Sequence, residues 1–162
     1  IVGTLRREIP DIVLRTTLIT GFPGETQENH EELMEFIDEM EFDRLGVFTY
    51  SAEEDTPAAS MPEQVDEEVK KDRQAELMEL QQDISLDKGN EKIGRDMLVM
   101  IEGKVADENA YVGRTYGDAP NVDGYIFVNT DTELMSGDLC QVHVTGALEY
   151  DLIGELKDEY TE

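Results

Sequence analysis

Few side chains in this sequence combine the type and spacing that chemistry needs. Most of those that do lie in one run, Arg15-Thr16-Thr17-Leu18-Ile19-Thr20-Gly21-Phe22-Pro23-Gly24-Glu25-Thr26. Leu14 to Thr20 is almost wholly β-branched or aliphatic, the composition of a strand covered on both faces in a parallel sheet. Gly21 and Gly24 supply backbone freedom and close approach, and Pro23 stiffens the turn between them. Thr26 suits the N-cap of the acidic helix that follows. In α/β folds ligands bind just beyond the carboxyl ends of parallel strands, where this turn lies. The turn is therefore either a ligand-binding corner or a βα corner that takes glycine only for packing. Side chains alternate along a strand, so Arg15, Thr17, Ile19 and Gly21 share one face. Ile19 would offer an apolar wall to a purine ring, and Arg15 a cation deep in the sheet. A buried arginine needs an anion; a bound carboxylate and a structural Asp or Glu are the two candidates. Tyr50 and Ser51, at the end of the next strand, reach the same rim, where Tyr50 serves either a ligand or the core.

Metal and nucleophile chemistry find little support. The chain has one cysteine, Cys140, which alternates with Val142 and Val144 along an expected strand and reads as a small core hydrophobe. A lone cysteine forms no disulfide within the chain and suits a reducing compartment. His30 and His143 share no ligand spacing, so no metal site is expected. Neither a Ser-His-Asp grouping nor a phosphate-binding loop is present.

The elements that must position the rim follow from periodicity. Gly3 to Ile9 reads as the end of a helix stopped by Pro10. Val13–Thr20 is the strand, Glu28–Met40 a helix with Leu33, Phe36, Ile37 and Met40 at helical spacing, and Arg44–Ser51 a second strand. A strand–helix–strand unit implies a parallel pair with a right-handed crossover. It is too small to bury both faces, so further βα units should precede it. After a polar connector, Pro62 suits the first turn of a long helix to about Asp87, with Val65, Val69, Leu77, Leu80 and Ile84 on one stripe and Gly89 beyond its end. Lys70, Lys71 and Arg73, set among glutamates, are expected on its solvated face. From Met97 the period becomes two: Met97–Val105, Ala110–Arg114, Gly124–Val128, Asp138–Thr145 and Asp151–Leu156 are candidate strands. They suit a small five-stranded antiparallel barrel of OB-like shape.

Charge narrows the partners. With 39 Asp+Glu against 13 Lys+Arg the formal net charge is −26, which repels phosphate backbones and attracts basic proteins. Residues 97–162 alone carry 14 acidic and 3 basic residues, a balance of −11. No apolar run approaches the ~20 residues of a membrane span. The chain begins at Ile1 without a methionine and reads as a fragment.

Three motifs in order, ITGFPGET, FTYSAEEDTPAASMPEQVDEEVKKDR and GRTYGDAPNVDGYIFV, resemble the C-terminal part of the radical-SAM methylthiotransferases, and most closely their RimO-type branch. That branch modifies an aspartate of a small-subunit ribosomal protein. The resemblance implies an α/β section followed by an all-β one. Residues 1–60 would be the last βα units of a radical-SAM TIM-like barrel, 61–94 a helical connector, and 95–162 a TRAM domain, an OB-like antiparallel barrel. It implies S-adenosylmethionine as cofactor, with Arg15, Ile19, Gly21, Tyr50 and Ser51 on its wall; Glu25 is the motif's acidic residue. It also implies two 4Fe-4S clusters whose cysteine ligands are absent here, so this stretch alone holds no catalytic residue and should be inert. Gly113 to Gly124 matches the TRAM signature with Asn121 as a departure, and Arg114, Asp118 and Asp123 become candidates for contacting the partner. Read without the resemblance, the same segment is a loop shaped by Asp and Pro turns. The acidic balance favours a basic ribosomal protein over RNA, in the cytoplasm. The alternatives are a tRNA adenosine methylthiotransferase and a non-catalytic module gripping basic proteins.

Overall fold

The computed structural model describes residues 1–157. Contacts divide the chain into two compact units, Ile1–Ile84 and Ser85–Glu162.

The first unit contains α1 (Val2–Glu8), β1 (Arg15–Thr20), α2 (Gln27–Met40), β2 (Arg44–Thr49), a short 3-10 turn (Ala58–Ser60) and most of α3 (Glu67–Asn90). β1 and β2 pair in parallel, with Thr17 opposite Gly46 and Ile19 opposite Phe48, as a βαβ crossover requires. Thr26 caps α2 as its sequence suggests: its hydroxyl accepts from the Asn29 N–H at 3.3 Å, while the Asn29 side chain accepts from the Thr26 N–H at 3.1 Å. The buried face of the unit gathers Ile37, Phe42, Leu45, Val47, Leu77 and Ile84.

Three expectations fail here, each for a local reason. β1 is covered on one face only; Arg15, Thr17 and Ile19 lie exposed, because no described element of this unit covers that side. The long helix does not begin near Pro62: Glu63 takes a left-handed φ of 60°, and Asp66 caps the true start through the Glu68 N–H at 2.9 Å. Nor does Gly89 end it. Gly89 stays helical and buried, where a Cβ would stand 3.0 Å from that of Ala147.

α3 also departs from the expected stripe. Val69 is exposed, whereas Lys70, Arg73, Leu77, Gln81 and Ile84 are buried. Their spacing keeps them on one helix face, which meets the βαβ unit through polar groups as much as apolar ones. Gln74 Nε2 donates to the Val47 carbonyl at 2.6 Å and Gln81 Nε2 to the Phe42 carbonyl at 2.8 Å. Carbonyls that would otherwise be buried without a donor thus find one.

The second unit is a closed barrel of β3 (Asp96–Lys104), β4 (Ala110–Arg114), β5 (Ile126–Asn129), β6 (Leu139–Ala147) and β7 (Leu152–Leu156), in the order β3-β4-β5-β7-β6. Four ladders are antiparallel, as expected; β5 and β7 pair in parallel and complete the closure. Val99, Ile101, Tyr111, Ile126, Val128, Val142, Val144 and Leu152 fill its interior, with Cys140 packed at the margin. Alternation along each strand places these side chains inward.

Candidate functional site at the strand-end rim

The carboxyl ends of β1 and β2 form a rim built around Glu25. Its carboxylate accepts from the Thr20 hydroxyl at 3.1 Å, the Gly21 N–H at 2.9 Å and Arg73 Nη1 at 2.8 Å. Arg73 Nη1 also donates to the Glu25 carbonyl at 3.2 Å. The Glu25–Arg73 pair is nearly closed to water, with 13% and 9% of the two side chains exposed. Three donors on one carboxylate fix the Gly-Pro-Gly turn against α3.

The second strand end is held from the same helix. Lys70, 3% exposed, donates from Nζ to the Tyr50 carbonyl at 3.1 Å and to Glu67 Oε1 at 2.6 Å. Its ammonium stands 5.4 Å from the Tyr50 ring centroid, and the Tyr50 ring meets Phe22 edge-on at 5.2 Å. His30, buried in α2, bonds Glu76 of α3 through Nε2 at 2.7 Å, which accounts for it as a tie between helices. His143 pairs instead with Asp96 at 2.8 Å. No group of three His, Cys, Asp or Glu able to hold a metal ion occurs among the described residues.

On the open face of the sheet, Ile19 and Phe48 stand side by side, 59% and 60% exposed. They make an apolar shelf two residues short of Gly21 and Tyr50. A flat heterocycle fits such a shelf: the apolar area is contiguous, and backbone groups of the adjoining turn supply polar contacts. Of the expected wall residues, Ile19 stands on this face and Gly21 and Tyr50 on the rim beside it. Ser51 is exposed just past Tyr50. Arg15 lies at the opposite end of β1 on the surface, so it is no buried cation. Gly21 takes φ +76°, and a Cβ there would lie 2.3 Å from Lys70 Cγ; its bareness accommodates a lysine stem. Phe48, Lys70 and Arg73 escaped sequence reasoning. Parallel register would have found Phe48, and the spacing of Lys70 and Arg73 with Leu77 would have placed both on the buried face.

In the barrel, Asp118 is buried and its Oδ2 accepts from the Thr115 hydroxyl at 2.6 Å. Asp123 Oδ2 accepts from the Ala119 N–H at 2.7 Å. Both aspartates shape their own loop. Arg114 forms an ion pair with Glu102 at 2.8 Å and is partly exposed. The large hydrophobic side chains this loop shows to solvent are Tyr116 and Val122, beside exposed Pro120 and Asn121.

A family model described as a TRAM domain matches residues 93–156, the segment that folds into the barrel. The chain is 60% identical over 154 residues to the ribosomal protein uS12 methylthiotransferase RimO of Lachnoclostridium phytofermentans, covering 95% of this chain and 35% of that protein. It is 51% identical over 156 residues to the protein of the same name from Pelotomaculum thermopropionicum, covering 96% and 35%. With that of Desulfitobacterium hafniense the identity is 48% over 156 residues, again 96% and 35%. The chain therefore spans about a third of the length of the curated relatives it matches. Over nearly its whole length the chain is thus similar to RimO-type methylthiotransferases, and its residues 93–156 match the TRAM domain.

Proposed function

We propose that this chain is part of a cytoplasmic radical-SAM enzyme that methylthiolates an aspartate of the small-subunit ribosomal protein uS12. The observation that carries the reading is the apolar shelf of Ile19 and Phe48 beside the Gly21–Gly24 turn, in a chain so close to proteins bearing that name. S-adenosylmethionine, when bound, supplies the methyl group and the radical chemistry of the reaction. The chain's own residues bind and orient it: Ile19 and Phe48 underlie the purine, and the Gly21 turn and the ends at Tyr50 and Ser51 border the ribose and amino-acid portion, while Arg15, at the other end of β1, stands clear of it. Residues 1–60 act as part of the cofactor-binding barrel, 61–94 as connector and 95–162 as docking domain. A single cysteine does not fit a 4Fe-4S cluster, which requires several thiolates. No step through either cluster is assigned to this chain, and alone it is inactive.

The barrel docks the substrate. Asp118 and Asp123 hold the loop that presents Tyr116 and Val122, and Arg114 borders it. The −11 balance of residues 97–162 suits a basic ribosomal protein and opposes a phosphate backbone. The test is anaerobic reconstitution of the full-length protein with iron and sulfide, followed by incubation with a low-potential reductant (dithionite), S-adenosylmethionine and either uS12 or bulk tRNA. Mass spectrometry should find a methylthio group on a uS12 aspartate. Modified tRNA adenosine with untouched uS12 would establish the tRNA reading instead. Absence of S-adenosylmethionine cleavage would leave only a module that binds basic proteins.

A further inference from the structure

Both rim loops converge on one buried side chain of α3. The methylene stem of Lys70 crosses the bare face of Gly21, filling the space a Cβ would need, with Cγ 2.3 Å from that position. Its ammonium then reaches past the turn to the Tyr50 carbonyl at 3.1 Å, beneath the Tyr50 ring. The Gly24 N–H ties the other end of the turn to the Glu63 carbonyl at 3.0 Å, ahead of the same helix. One residue thus touches the end of β1 and the end of β2 at once. Ile19 and Phe48 precede those two ends by two residues each; the β1–β2 ladder fixes the shelf itself and ends with the Tyr50 N–H on the Thr20 carbonyl at 2.8 Å, so Lys70 acts on the loops just beyond it.

Packing alone does not call for a cation there. An apolar side chain of equal length would cover Gly21 and avoid the cost of desolvating an ammonium. What the ammonium adds, besides its ion pair with the largely exposed Glu67 on the same helix at 2.6 Å, is the fix on the Tyr50 carbonyl and ring. We propose that Lys70 is a positioning residue: it sets the two strand-end loops at the separation that S-adenosylmethionine needs. This rests on the cofactor reading above and adds to it a residue that does not itself touch the ligand.

Lys70→Met keeps the stem and removes the donor. In the full-length, anaerobically reconstituted protein, S-adenosylmethionine affinity measured by equilibrium dialysis should fall about tenfold, the scale of one hydrogen bond from a charged donor. The melting temperature should stay within about 3 °C, and Lys70→Arg, which keeps a cation and donors, should recover most of the affinity. Unchanged affinity in Lys70→Met beside a wild type that binds overturns the role of Lys70 alone. A wild type that does not bind S-adenosylmethionine overturns the cofactor reading and this inference with it. A Lys70→Met protein that loses its folded signal shows the lysine to be structural and also refutes the claim. The packing half is checked separately: Gly21→Ala should lower the melting temperature, and adding Lys70→Ala should cost less than the sum of the two changes. Strict additivity would refute the contact.

Discussion

Glu25→Gln probes the rim most directly, because it keeps the shape of the side chain and removes its charge. Arg73 would remain on the buried face of α3, 7% exposed, with neutral acceptors only, the backbone carbonyl of residue 25 at 3.2 Å and the new amide oxygen. Its Nε already has no hydrogen-bond partner. The amide of the new glutamine must also set its NH2 either against the Gly21 N–H or against Arg73 Nη1, which shares the other carboxylate oxygen with the Thr20 hydroxyl. Breaking a buried ion pair by neutralising one partner costs about 3–5 kcal/mol. For a unit of this size that is a fall in melting temperature of at least about 12 °C. Far-ultraviolet circular dichroism reports it cleanly, since α1, α2 and most of α3 lie in the first unit. Glu25→Gln with Arg73→Met removes both charges and should regain most of the loss. A fall of less than about 4 °C in the single variant would mean that Arg73 reaches water without its partner, and the closed-pair description would be wrong.

Other perturbations test the packing and the charge pairs. Leu77→Ala empties a fully buried position between α3 and the βαβ unit and should destabilise by about 2–5 kcal/mol in denaturant titration. Gly124→Ala would set a Cβ 1.9 Å from the Tyr150 carbonyl oxygen; the 148–151 turn must move, and a loss of roughly 1–3 kcal/mol with shifted amide resonances around Tyr125 and Leu152 is expected. Asp96 accepts from Lys157 and from His143, and these hydrogen bonds, Lys157 first, hold its carboxyl below the ordinary value of 3.8. A depressed folded value stabilises above the unfolded one and is lost as pH falls through the folded one. The melting-temperature gap between wild type and Asp96→Asn should therefore be steady at pH 5 and close on acidification below about 3.8; a gap that widens there would reverse the sign.

Local signals carried much of the architecture. The Gly-Pro-Gly turn, the Thr26 cap and the period-two segments after Met97 are present because each depends on residues close together in sequence, and the parallel pair because a βαβ crossover leaves no other pairing of adjacent strands. The parts that were not legible involve distant partners. Lys70 and Arg73 have the composition of a solvated helix face, and only the docking of α3 on the rim, where Glu25 and the Tyr50 carbonyl await donors, takes them out of water. Asp118 and Asp123 look like contacts for a partner until their loop closes and their oxygens turn to Thr115 and Ala119. Arg15 sits on a strand whose composition suggests cover on both sides, yet its face is open.

By itself, then, the order of residues determined which segments are strands and helices, where α2 is capped and which way the chain's charge leans, since propensity, capping and net charge act over a few residues or over the whole sum. Which cations are buried, which glycine makes room for a lysine and which two side chains form the apolar shelf were decided by tertiary contact, because burial and hydrogen-bond partnership belong to pairs of segments and not to either one.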